Sequence, residues 1–161
     1  MLNKKIALLG AAVAAMVSTG ANAATQTATA EVDILAPVTL AQTAGLDFGT
    51  VAASTSAGTV TLPTGSNTQT CSVGLACVGP ASRGVFSVVG ANLTTVVITV
   101  DASTLLSGAG TSMNLTLNPS VTSISATGSA QTFFVGGVLS VGASQAAGTY
   151  TGTYNVSAEY Q

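Results

Sequence analysis

The chain has 161 residues, with 3 Lys and Arg, 5 Asp and Glu and no His, so charged residues make up 5% of it, against about 25% in an ordinary soluble domain. A His-based catalytic triad is thereby excluded, little remains from which to build a zinc, haem or iron–sulfur centre, and there is no basic patch for nucleic acid. Titratable groups are too few for ordinary acid–base chemistry, so neither an enzyme nor a cofactor is expected.

The first 23 residues read as an export signal. Asn3, Lys4 and Lys5 form a positive start, Ile6 to Val17 an apolar stretch, and Ala21-Asn22-Ala23 a small-residue cleavage pattern. As a helix that stretch would span about 18 Å, short of a ~30 Å hydrocarbon core, so a membrane anchor is the weaker reading. Cleavage after Ala23 leaves a mature chain with Arg83 as its one cation, set against Glu31, Asp33, Asp47, Asp101 and Glu159. No further apolar run reaches membrane-spanning length. The mature chain is expected to fold as one domain without entering a membrane.

Residues 24–36 form a separate segment. Ala28, Ala30, Val32 and Ile34 fall on one face, and Thr27, Thr29, Glu31 and Asp33 on the other, a strict two-residue period. Pro37 then interrupts any continuous ladder. Periodicity alone favours the plainer interpretation, an ordinary first edge strand of the same sheet.

Residues 37–161 carry almost no helical periodicity. Thr, Val, Ser, Gly and Ala dominate, with turn residues at short intervals. Including the N-terminal segment, strands are expected over Thr25–Leu35, Val38–Gln42, Thr59–Leu62, Thr68–Val73, Gly84–Val89, Thr94–Val100, Met113–Asn118, Thr132–Val141 and Gly148–Tyr160. A single helical turn is expected near Ala102–Leu106. Short strands at this spacing suggest an all-β, immunoglobulin-like sandwich. Thr95 to Val100 is the most aggregation-prone window and is expected to be a core strand. Cys71 and Cys77, the only cysteines, read in an exported chain as one disulfide stapling a hairpin or loop. A redox or metal pair is disfavoured because the spacing is not C-x-x-C and no His is present. Asp33, Asp47 and Asp101 are scattered, and Asn92, Asn114 and Asn155 stand in chance matches to a glycosylation pattern.

The last segment alternates for thirteen residues. Tyr150, Gly152, Tyr154, Val156, Ala158 and Tyr160 make one face, and Thr149, Thr151, Thr153, Asn155, Ser157 and Glu159 the other. A strand this long at the end of a sequence is an edge hazard unless something covers it. A self-contained sandwich would be expected to follow it with another strand.

These features together resemble the chaperone–usher fimbrial subunits. In that family the subunit ends in an alternating strand with a penultimate Tyr, here Tyr160, and a Gly fourteenth from the end, here Gly148. Leu46-Asp47-Phe48-Gly49-Thr50-Val51 looks like an early segment common in those subunits. Thr132 to Gly137 together with Ala147 to Gly152 is similar to the Mat/Ecp-type major subunits. One departure is that many such subunits join their first two strands by a disulfide over a longer separation, whereas Cys71 and Cys77 close a short loop.

The resemblance implies an incomplete immunoglobulin-like domain lacking its last strand, with a groove that a periplasmic chaperone fills first. At an outer-membrane usher, the N-terminal strand of another subunit then replaces the chaperone. Ala28, Ala30, Val32 and Ile34 would be the donor side chains. Gly148, Tyr150, Tyr154, Val156, Ala158 and Tyr160 would form the strand that meets the chaperone and lines the groove. The implied partners are identical or related subunits in a head-to-tail polymer, and the implied location is the bacterial surface, where the fibre would support adhesion or biofilm formation. The alternative is a self-contained secreted β-sandwich binding module, an adhesin or a carbohydrate-binding domain. Scarce aromatics and the lack of room for a receptor-binding domain weigh against it. A secreted hydrolase would have to work with carboxylates alone.

Overall fold

The computed structural model describes residues 23–161. The export-signal reading therefore lies, but for Ala23, outside the described residues. The chain divides into two units after Asp33. In the first, residues 23–33 are exposed throughout and carry no strand. The strand expected over Thr25–Leu35 is thus not formed, nor is the plainer alternative of an edge strand. Its alternation is intact, but a strand is defined by a ladder, and no described pairing includes it.

The second unit, Ile34–Gln161, contains β1 (Thr39–Ala44), β2 (Thr50–Ala52), β3 (Gly58–Leu62), β4 (Thr70–Cys71), β5 (Ala76–Val78) and β6 (Gly84–Val89). It continues with β7 (Thr94–Val100), β8 (Ser103–Leu106), β9 (Met113–Pro119), β10 (Ser123–Ala126), β11 (Gln131–Val141) and β12 (Val156–Tyr160). No helix occurs among the described residues, and the fold is all-β and sandwich-like. The helical turn expected near Ala102–Leu106 is instead β8, paired antiparallel with β9 from Ser103↔Thr116 to Leu106↔Met113. A four-residue stretch can bond a neighbouring strand along its whole length, whereas a single isolated helical turn gains one bond for several fixed torsions.

The larger sheet has seven strands, centred on β11. Val135 pairs with both Gly84 of β6 and Pro119 of β9, and Gly137 with both Leu62 of β3 and Leu117 of β9. A strand has only two edges, so β6 and β3 share one and β9 occupies the other. The changeover falls at Gly136-Gly137. A Cβ on Gly136 would overlap the Leu62 carbonyl, and one on Gly137 the Thr116 carbonyl. Only glycines let three strands crowd this point. The second sheet has the order β10-β7-β12, and β2 pairs β5 as a two-stranded ribbon. The aggregation-prone window is the central strand β7, with both edges covered.

Alternation places the core. Phe86 and Val88 of β6, Val96 and Ile98 of β7, Leu115 and Leu117 of β9, and Phe133, Val135, Leu139 and Val141 of β11 are all buried in one cluster drawn from both sheets. Phe86 stacks on Phe133 with centroids 5.4 Å apart. Cys71 and Cys77 are joined by a disulfide with Cα atoms 5.8 Å apart, tying β4 of the large sheet to β5 of the ribbon. The strand expected over Thr68–Val73 shrinks to β4, because the chain must turn back within this short loop. Arg83 lies over the Phe134 ring, 3.6 Å from its centroid, and its guanidinium donates to the Thr64 carbonyl.

Candidate functional site

Two chain segments run side by side without pairing. The first is 39–52. On one edge it bonds successively to β6, to Ser82 and to β5. Asp47 and Ser82 exchange N–H to carbonyl bonds at 2.7 and 2.8 Å. Asp47 Oδ1 also accepts the Gly49 N–H at 2.7 Å, turning the chain there. Gly49 has φ of 65°, and a Cβ on it would meet the Pro80 carbonyl oxygen at 2.5 Å, so this corner requires glycine.

The second segment is 148–160. The thirteen-residue strand expected there is broken, and only Val156–Tyr160 forms a ladder, with β7. Upstream, Thr151 and Ser107 exchange backbone bonds at 2.9 Å, and the Thr104 hydroxyl donates to the Thr153 carbonyl at 2.7 Å. The segment therefore changes partner from β8 to β7. At the crossing, Asp101 N–H donates to the Asn155 carbonyl at 3.1 Å, while Asn155 donates its backbone N–H to the Asp101 carboxylate at 2.7 Å and its side-chain amide at 3.0 Å.

The parity of these bonds fixes the other edge. Thr151, Thr153, Asn155 and Gln161 bond toward β8 and β7. In an antiparallel ladder the intervening residues point their N–H and C=O the opposite way. Val156, Ala158 and Tyr160 thus present backbone groups to an edge that has no strand partner among the described residues. The outer edge of 39–52 is unpaired in the same sense.

Between the two segments lies a cleft of about 580 Å³. Residues 46–53 form one wall and residues 145–154 much of the other, with Leu106, Met113, Leu115, Leu139 and Val141 between them. Gln145 donates to the Tyr150 hydroxyl at 2.8 Å, which donates to the Ala146 carbonyl at 2.8 Å. Gly148 also lines the cleft. Tyr154 packs edge-on to Phe86, and its buried hydroxyl has no hydrogen-bond partner. At the far end β1 and β12 approach without pairing. There the Tyr160 hydroxyl donates to the Ala36 carbonyl at 2.6 Å and accepts the Ala91 N–H at 2.7 Å.

A family profile described as a domain of unknown function, DUF4402, matches residues 38–160. The chain belongs to the DUF4402 family. The match begins one residue before β1 and ends with the last residue of β12, so it takes in both walls of the cleft. No curated protein and no solved structure matches the chain.

Of the side chains singled out from sequence, Tyr150, Tyr154, Val156, Ala158 and Tyr160 are half-buried; Tyr150 and Tyr154 line the second wall, while Val156, Ala158 and Tyr160 belong to β12 beyond it. Ala28, Ala30 and Val32 lie in the first unit and Ile34 opens the second. All four are exposed, Ile34 at 88%. Cys71 and Cys77 lie outside the cleft, though Cys77 pairs with Val51 of its first wall. Sequence reasoning did not find that wall as such. The turn-forming Asp47-Phe48-Gly49 was its visible signal.

Burial pushes the Tyr154 phenol above its ordinary pKa of 10.0. The DUF4402 domain should therefore have a stability independent of this group below pH 10. Above that, the unfolded chain releases a proton that the folded state retains, so stability falls as pH rises. Urea midpoints measured from pH 8 upward should show this decline, and Tyr154→Phe should flatten it.

Proposed function

We propose that this DUF4402 protein is a structural subunit of a bacterial surface fimbria, exported through the periplasm and polymerised by donor-strand exchange. A periplasmic chaperone holds the cleft first. An outer-membrane usher then exchanges it for residues 24–36 of another copy, whose Ala28, Ala30, Val32 and Ile34 enter between the two walls. The observation that carries this reading is an apolar-floored cleft between residues 46–53 and 145–154, next to which the outer edges of β1 and β12 have no strand partner among the described residues. Such a site is filled by an extended segment that supplies ladder bonds on both sides and a side chain to every second position.

The magnitudes are adequate. Full burial of Val32 and of Ile34 is worth roughly 1.5–3 kcal/mol each. Each new ladder bond adds about 0.5–1.5 kcal/mol net. A head-to-tail contact of this kind does not close, so it grows a fibre and not a ring.

Electron microscopy of cells expressing the chain, with SDS-resistant oligomer ladders as readout, tests the proposal. Filaments and ladders are expected from the intact chain. Ile34→Asp should weaken each junction on the order of tenfold to a hundredfold from lost burial alone, and further from the desolvated charge. Undiminished ladders in that variant, or no filaments from the intact chain, would overturn the reading.

A further inference from the structure

Two apolar side chains stand in solvent at opposite ends of the domain, Leu93 at 93% exposure and Val73 at 100%. Single exposed apolar residues are ordinary. Leu93 is less so, because it adopts φ of 62° at the tip of the β6–β7 turn, a left-handed conformation that Gly or Asn takes far more easily. Its N–H donates to the Ala126 carbonyl at 3.0 Å, and the Thr94 hydroxyl donates to the Ala91 carbonyl at 2.6 Å, so the turn is fixed.

Hydrogen bonds locate both residues relative to the cleft. Ala91, two residues before Leu93, donates to the Tyr160 hydroxyl, which donates to the Ala36 carbonyl. Leu93 therefore marks the end at which residues 34–36 enter the domain. Val73 sits in the disulfide loop beside Gly74, where a Cβ would lie 3.2 Å from Ser54 Oγ. The Ser54 carbonyl accepts the Ser144 N–H at 2.7 Å, and Ala53 and Gln145 line the cleft next to this pair. Val73 therefore marks the opposite mouth.

We infer that these two ends meet in the fibre, the Leu93 turn of one copy seating on the Val73 loop of the next. The inference rests on the donor-strand reading and goes beyond it, since the contact lies outside the groove. A donor segment leaves its own domain at Ala36, so it carries its Leu93 turn to whichever mouth of the neighbour's cleft its root occupies. At the Tyr160 mouth the neighbour's own Ala36 and β6–β7 turn already stand, and the neighbour's own donor departs there. Entry at the Ser54 mouth instead lets every copy pass its donor onward in one direction, as an open fibre requires. That entry brings Leu93 against Val73 at each junction. The contact buries two side chains that otherwise face water, and it uses the strained turn as a knob.

The test places the photocross-linker p-benzoylphenylalanine at position 93 of the full mature chain, assembled into filaments. Irradiation should give covalent dimers whose cross-linked peptide contains Val73 or the Ser54 loop of the second copy. Filaments whose cross-links fall on residues 91–93 or 126–128 of the second copy, or that give no dimers, overturn the contact while leaving the donor-strand reading intact. Absence of filaments from the unsubstituted chain overturns both. A second variant, Leu93→Gly, suits the local φ, so the free domain should keep or raise its melting temperature while its filaments dissociate faster. Filaments dissociating at the unsubstituted rate would also overturn the contact.

Discussion

A mature chain lacking residues 24–33 should fold normally, bind the chaperone and form no filaments. Every described strand lies between Thr39 and Tyr160, so the deletion removes no ladder bond and no core side chain. It removes Ala28, Ala30 and Val32 and leaves Ile34 alone of the four proposed donor positions. Far-ultraviolet circular dichroism should be nearly unchanged, while negative-stain microscopy shows monomers only. A synthetic peptide of residues 24–36 supplied in trans should then bind the truncated domain. At a hundred times its dissociation constant it should stabilise the fold by about 2.7 kcal/mol. Filaments of normal length from the truncated chain would remove the donor assignment. Failure of the peptide to raise the melting temperature would show that the cleft does not accept this segment.

The largest loss of stability is expected from Phe133→Ala. Phe133 is 1% exposed, stacks on Phe86 and stands on the long central strand β11. Its removal leaves a void that β6 and β11 cannot close without breaking their register, so the cost should reach about 3–5 kcal/mol. Against a total of roughly 5–15 kcal/mol, that is a fifth or more of the stability. Urea denaturation should show the midpoint falling accordingly. A change below about 1 kcal/mol would mean that the core relaxes around this position.

The long strands were legible in the sequence because each buries every second residue against a fixed core. Phe86 and Val88, Val96 and Ile98, and Phe133, Val135, Leu139 and Val141 all follow that rule. The short elements were not. β2, β5, β8 and β10 have three or four residues each, too few for a period, and they exist through their partners. Gly148–Tyr160 is the instructive case. The even-numbered Tyr, Val and Ala side chains do share a buried face, yet alternation reports only which face a residue takes and not which strand it bonds. The change of partner at Asp101 and Asn155 is a tertiary event with no periodic signature. One wall of the cleft was therefore readable from its tyrosines, whereas the other, built by β2 against a disulfide-closed loop, was not. The segment 25–35 shows the converse, a complete strand pattern without a ladder of its own.

The antiparallel register of β1 on β6 has a mechanical consequence. Thr39 to Ala44 follows closely on Ala36, and its bonds to β6 run across the strand axis. A tug on the entering segment along that axis would load those bonds in shear, all at once, and would not peel them one after another. A ladder loaded in this way resists tension along the strand, as a link in a rope would.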